Sequence, residues 1–108
     1  MAYNEDLAIR VGTITGTWKG LVEKNMFGGV GYLLNGNMCV GVYKDYLILR
    51  LDEKKAEEML THTFSKPFDI TGRPMKGWIM VQPMDLDDNQ FAEMIHFSRK
   101  FVEKLPTK

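Results

Sequence analysis

A chain of 108 residues is long enough for one hydrophobic core and too short for two independent ones. Its 44% hydrophobic and 26% charged content is that of an ordinary globular protein and excludes a disordered or fibrous one. Lys and Arg number 14 and Asp and Glu 14, so no net charge draws the whole molecule to nucleic acid or to an anionic membrane, although a local basic patch is compatible with that balance.

The one cysteine, Cys39, cannot form an internal disulfide, and the opening MAYNEDLAIRVG has neither the charged start nor the apolar stretch of a secretory signal. A reducing cytoplasm is the expected compartment. No apolar run approaches the roughly 20 residues needed to span a bilayer, and no membrane partner is expected.

In chain order, Asn4 reads as a helix N-cap with Glu5 and Asp6 in the first turn, and Leu7, Val11, Ile14 and Trp18 recur at helical spacing. Gly12, Thr13, Thr15, Gly16 and Thr17 lower helix propensity and predict an end near Thr15. The glycine-rich stretch MFGGVGYLLNGN, Met26 to Asn37, leads into a sheet. Asn35-Gly36 between two apolar runs signals a two-residue hairpin turn, because both positions of a type I′ turn need positive φ.

That turn sets Leu34 opposite Asn37, Leu33 opposite Met38, Tyr32 opposite Cys39, Gly31 opposite Val40 and Val30 opposite Gly41. A second turn at Lys44-Asp45 sets Val42 opposite Leu47, Val40 opposite Leu49 and Met38 opposite Leu51. One face then carries Leu33, Met38, Val40, Val42, Leu47, Leu49 and Leu51 and is the predicted core side. The other carries Tyr32, Cys39, Gly41, Tyr43, Tyr46, Ile48 and Arg50 and is mixed. Gly31 and Gly41 each face a valine, where a larger residue would crowd the pleat, and Gly28-Gly29 is expected to form a bend or bulge. These glycines read as structural.

Asp52 is the expected cap of a short helix, DEKKAEEMLTH, with Ala56, Met59 and Leu60 as its apolar stripe. KPFDITGRPMKG reads as an extended piece at Phe68 to Ile70 followed by a turn. WIMVQ, with apolar residues on both faces, is an inner strand or one lying under a partner. In the last helix Asp87 and Gln90 form a capping box, Leu86 and Phe91 a hydrophobic staple, and Phe91, Met94, Ile95, Ser98, Phe101, Val102 and Leu105 one face, with Pro106 as the stop. The order is helix, three or four strands, helix, two strands, helix. It predicts an α+β fold with a mainly antiparallel sheet in a single domain over 1–108.

No phosphate-loop spacing occurs, and Gly29-Val30-Gly31 is followed by Leu34 and a strand instead of the glycine and helix of a dinucleotide fingerprint. His96 and Ser98 are two apart on a helix and point in different directions. Cys39, His62 and His96 are too scattered for a zinc site, and neither a metal nor a cofactor is expected. Cys39, opposite Arg50 and beside Tyr32 and Tyr46, could have its thiolate favoured by the guanidinium, but with no histidine nearby in sequence it reads rather as a small strand residue beside an aromatic ring. The turn TGRPMKGW offers a different chemistry: Arg73 and Lys76 as cations, with Met75 and Trp78 as apolar contacts for a partner. Met26, Met38, Met59, Met80 and Met94 fall on the sheet or on apolar helix faces and read as core filling.

The strings EKNMFGGVGYLLNGNMCVGVYKDYLILRLD and KPFDITGRPMKGWIMVQPMDL, with the terminal helix ending in LPTK, resemble the TfoX N-terminal-domain family over essentially the whole chain. The resemblance implies a secretion-chaperone-like fold ordered α-β(3)-α-β(2)-α. Family motif positions map onto Lys24, Met26, Phe27, Gly28, Gly29, Gly36, Arg73, Pro74, Met75, Lys76, Gly77 and Trp78, none of them an established catalytic residue. The name-giving members regulate natural competence together with the cyclic-AMP receptor protein and carry an additional C-terminal domain. Only the N-terminal type is represented in these 108 residues, so that role is not expected to carry over. The first helix is richer in Thr and Gly than the family pattern.

The expected function is a non-enzymatic interaction module of regulatory type. Its partner is another protein, bound through the mixed sheet face or the Arg73 to Trp78 turn. The alternative is a small-ligand or enzymatic site at Tyr32, Cys39, Tyr46 and Arg50. An uncovered sheet face and the WIMVQ strand are candidate homodimer surfaces, and direct nucleic-acid binding is not expected.

Overall fold

The computed structural model describes residues 3–26, 28–69, 72 and 75–107, without the side chains of Met26 and Asp85. Phe27, Ile70, Arg73 and Pro74 of the sequence reading lie outside the described residues. The chain runs α1 (Glu5–Thr15), β1 (Leu21–Met26), β2 (Gly29–Leu34), β3 (Asn37–Tyr43), β4 (Tyr46–Arg50), α2 (Glu53–Met59), β5 (Ser65–Pro67), β6 (Trp78–Val81), a 3-10 turn (Pro83–Asp85) and α3 (Asp88–Val102). This is the expected α+β order, with four strands before α2. The strands form one antiparallel sheet in the order β1-β2-β3-β4-β6-β5.

Local chemistry sets the boundaries as expected. Asn4, Asp52 and Asp87 each accept a hydrogen bond from the backbone N–H three residues on, and Gln90 returns the bond to Asp87 N–H in a full capping box. α1 ends at Thr15, where the predicted run of Thr and Gly begins to fail as helix. Asn35 and Gly36 take φ of 54° and 84°, the left-handed pair that a type I′ turn requires.

The register departs from expectation inside β3. Leu34 pairs with Asn37 and Leu33 with Met38 as expected, but Tyr32 then pairs with Val40, Gly31 with Gly41 and Val30 with Val42. Cys39 is the extra residue of a bulge. Because side chains alternate with period two, one extra residue reverses the face of everything on one side of it. Tyr32 and Cys39 therefore turn toward the helices, while Leu33 and Met38 turn away. The two glycines face each other, not a pair of valines.

All three helices pack on one side of the sheet, where Leu7, Val11, Ala56, Met59, Phe91, Ile95 and Val102 meet Val30, Tyr32, Val40, Val42, Leu47, Leu49, Ile79 and Val81. The Tyr32 hydroxyl donates to Ala8 C=O at 3.0 Å and ties β2 to α1. The Asn37 amide donates to Pro106 C=O at 2.9 Å and ties β3 to the segment after α3. On the opposite face a smaller cluster of Ile48, Phe68 and Met80 is flanked by Tyr43, Tyr46 and Trp78. β6 has strands on both edges, and Ile79, Met80 and Val81 are all buried within the chain.

Glycine positions divide by what a Cβ would meet. At Gly29 it would collide with Val42 C=O, whereas at Gly12 in α1 nothing lies within 4 Å. Gly29→Ala is accordingly expected to destabilise the fold by about 2 kcal/mol or more, and Gly12→Ala to stabilise it by about 0.5–1 kcal/mol. Urea denaturation midpoints of the two variants, moving in opposite directions, check both.

Candidate functional site

Gly72 and Met75 to Trp78 are held by their backbone. Gly72 and Gly77 take φ of 92° and 84°, which side-chain-bearing residues rarely adopt. Gly72 N–H donates to Asp69 C=O, Met75 N–H to Phe68 C=O and Trp78 N–H to Met75 C=O. Leu51 N–H donates to Gly77 C=O at 2.6 Å, and a Cβ at Gly77 would stand 2.7 Å from Leu51 C=O. Gly77 thus joins the turn to the end of β4 with no room for a side chain.

This anchoring puts Trp78 half-buried at the start of β6, its ring 5.7 Å from that of Phe68, with the Arg50 guanidinium 5.4 Å from the ring centroid. Met75 remains 39% exposed and Lys76 is exposed. Between the turn and α2 lies a cleft of about 200 Å³ lined by Glu53, Ala56, Glu57, Leu60, Pro67, Met75, Lys76, Gly77 and Trp78. Small-molecule sites usually start near 300 Å³. This cleft has the size for one anchoring side chain, with an apolar floor and charged rims.

The other family positions stand elsewhere. Met26 pairs with Gly29 across the β1–β2 connection, where Gly28 has φ of 76°. By register this connection lies at the sheet end that carries the Lys44–Asp45 turn, while Trp78 and Arg50 occupy the opposite end. β1 and β6 are four strand steps apart, roughly 19 Å at the usual spacing. The structure therefore does not bring Lys24, Gly28 and Gly29 together with Met75, Lys76, Gly77 and Trp78. Gly36 serves the β2–β3 turn.

The bulge also separates the predicted reactive set. Tyr46 and Arg50 alternate with the core-facing Leu47 and Leu49, whereas Tyr32 and Cys39 belong to the helix-side core. Burial pushes the Cys39 thiol from its usual 9.0 up to about 12, against the opposing pull of Arg99 and Arg50. Burial likewise raises the Tyr32 hydroxyl, reinforced by Glu23 and Tyr3. Cys39 is thus a protonated packing residue at neutral pH. Nothing in the local sequence marks the bulge that places it there.

A further concavity of about 590 Å³ is an open groove along the outer side of α3 past His96, Phe97, Arg99 and Lys100. His96 is exposed, and its ring stands 6.1 Å from that of the buried Trp18. Ser98 is fully buried with no hydrogen-bond partner among the described residues. Among those residues no three His, Cys, Asp or Glu side chains converge on a metal position, and no helix is long and apolar enough to cross a membrane.

The thiol has a measurable signature. Between pH 9 and about 12 the unfolded chain releases the Cys39 proton while the folded chain keeps it, so unfolding is favoured and stability falls with rising pH. Cys39→Ala is expected to flatten that decline in urea titrations across this range. Wild-type Cys39 is expected to react with a disulfide reagent only at the rate of unfolding.

A family model described as the TfoX N-terminal domain matches residues 13–101, a span that takes in every strand, α2 and the turn from Gly72 to Trp78. Neither a curated protein nor a solved structure matches the chain.

Proposed function

The chain belongs to the TfoX N-terminal domain family, and on that premise we propose that it is a non-enzymatic protein-interaction module of regulatory type, engaging its partner at the Met75 to Trp78 turn. The observation that carries this reading is the contrast within that one segment. Gly77 is locked to Leu51 with no tolerance for a side chain, while the adjacent Met75 and Lys76 are held out over a small apolar-floored cleft. A rigid backbone that displays an adaptable thioether and an ammonium beside a cleft sized for one side chain suits an interface hot spot. Cys39 is fully buried and does not line this cleft.

The partner inserts one apolar side chain between Met75 and Trp78 and places a polar rim against Glu53, Glu57 and Lys76. Met75→Asp combined with Lys76→Glu alters this surface without touching the core, since both side chains are exposed. In nuclease-treated lysate of the source organism, the tagged wild type is expected to capture a defined protein that the double variant retains roughly tenfold less well, about 1.4 kcal/mol. Equal capture by folded wild type and variant would contradict the assignment of the turn.

A further inference from the structure

The zero net charge of the chain conceals a segregation. The six strands carry a single carboxylate, Glu23, which pairs with Tyr32 and so lies on the helix side. The helix-free face has Lys24, Arg50 and Lys66 on its strands and Lys44 at a turn, while Asp45 and Asp69 stand in the adjoining loops. The helix side is mixed, with Glu53, Glu57, Glu58 and Glu93 beside Arg10, Lys54, Lys55, Arg99 and Lys100.

One cross-strand row organises this face. Following the register, Lys24 of β1 stands beside Gly31, then Gly41, Ile48, Met80 and finally Lys66 of β5. An ammonium thus sits at each edge of the sheet, five strand steps or roughly 24 Å apart. Between them Gly31, Gly41, Ile48 and Met80 are a buried floor, with the flexible Met38 side chain over Gly41 and Phe68 packed on Ile48 and Met80. Along the row run half-buried aromatic rings with cations already over or beside them. Lys66 Nζ is 4.5 Å from the Tyr46 ring centroid and Lys44 Nζ 5.5 Å from that of Tyr43, while the Arg50 guanidinium, at the sheet end, lies 5.4 Å from that of Trp78 and 5.9 Å from that of Phe101 in α3.

We propose that this helix-free sheet face is a binding site for single-stranded nucleic acid, laid across the strands from Lys24 to Lys66. The charge complementarity selects an anionic ligand, and the type of contact on offer selects among anions. The backbone groups of a sheet face are consumed in its ladders, so an acidic peptide would find no main-chain partners here. Phosphates find the row-end ammonium groups, and bases find aromatic edges and a soft thioether. That pairing of cations with aromatic platforms is how sequence-tolerant single-strand binding works. Four or so nucleotides cover the distance between the two lysines. This face shares Trp78 with the Met75 to Trp78 cleft, but neither Lys24 nor Lys66 lines that cleft, so loss of one site can be told from loss of the other.

The test is fluorescence anisotropy of labelled oligo-dT and oligo-rU of about 12 nucleotides with the full chain, from about 20 mM salt upward. Expected is saturable binding of at least one strand type that weakens with salt. Lys24→Ala with Lys66→Ala is expected to weaken it roughly tenfold and to lower the log–log salt slope by about 1.4, since each lost phosphate contact on a single strand removes about 0.7. Replacement of both lysines by Arg is expected to restore binding, which guards against a loss caused by misfolding. The absence of binding at the lowest salt, or equal binding by the double Ala variant, would overturn the proposal. So would displacement of the oligonucleotide by poly-glutamate at equal charge concentration, which would mark the face as a site for acidic protein.

Discussion

The position of one extra residue in β3 decides what this protein presents to its surroundings. Leu33 pairs with Met38 on one side of Cys39 and Tyr32 with Val40 on the other, so the sheet changes face between them. Apolar burial favours this arrangement, because the unbulged register would turn Val30, Tyr32, Leu34 and Cys39 outward and bring in only Gly31, Leu33 and Met38. The Tyr32 hydroxyl makes the difference specific. Inside, it reaches Ala8 C=O and joins the first helix to the sheet, a bond worth about 1 kcal/mol. The bulge also lets Gly31 face Gly41, which leaves the outer surface low at mid-sheet.

The consequences divide the molecule in two. On the helix side, the bulged strand completes a core whose ends are tied by Tyr32 to α1 and by Asn37 to the segment after α3. On the other side, a buried floor under Phe68 is flanked by the half-buried rings of Tyr43, Tyr46 and Trp78, with cations beside them and at the sheet edges. The turn that bears the second family motif hangs from that same end, fixed by the Leu51–Gly77 contact. The glycines of the two motifs thus have physical reasons to be glycine that involve no ligand. Gly29 admits Val42 C=O, and Gly77 admits Leu51 C=O in a left-handed conformation.

Much of this architecture was legible in the residues themselves because local chemistry determines it. Asn35-Gly36 can hardly be other than a tight hairpin turn, Asp52 and Asp87 cap the helices they precede, and the two-sided apolarity of WIMV marks the inner strand that β6 is. The bulge was not legible: Cys39 carries no turn preference, and the alternation around it fits either register. Nor was the row from Lys24 to Lys66, because it depends on β6 inserting between β4 and β5, a choice of long-range pairing. The predicted grouping of Tyr32 and Cys39 with Tyr46 and Arg50 failed for the first of these reasons.

The account rests on the register of β2 against β3, which NMR reads directly from cross-strand proton contacts in the folded protein. The backbone Hα and amide cross-peaks are expected to join Gly31 to Gly41 and Tyr32 to Val40, with Tyr32 ring protons contacting α1 near Ala8. Cross-peaks joining Gly31 to Val40 and Val30 to Gly41 would place Tyr32 and Cys39 on the outer face. That result would contradict both the inert thiol and the cationic row on which the two sides of the molecule have been told apart.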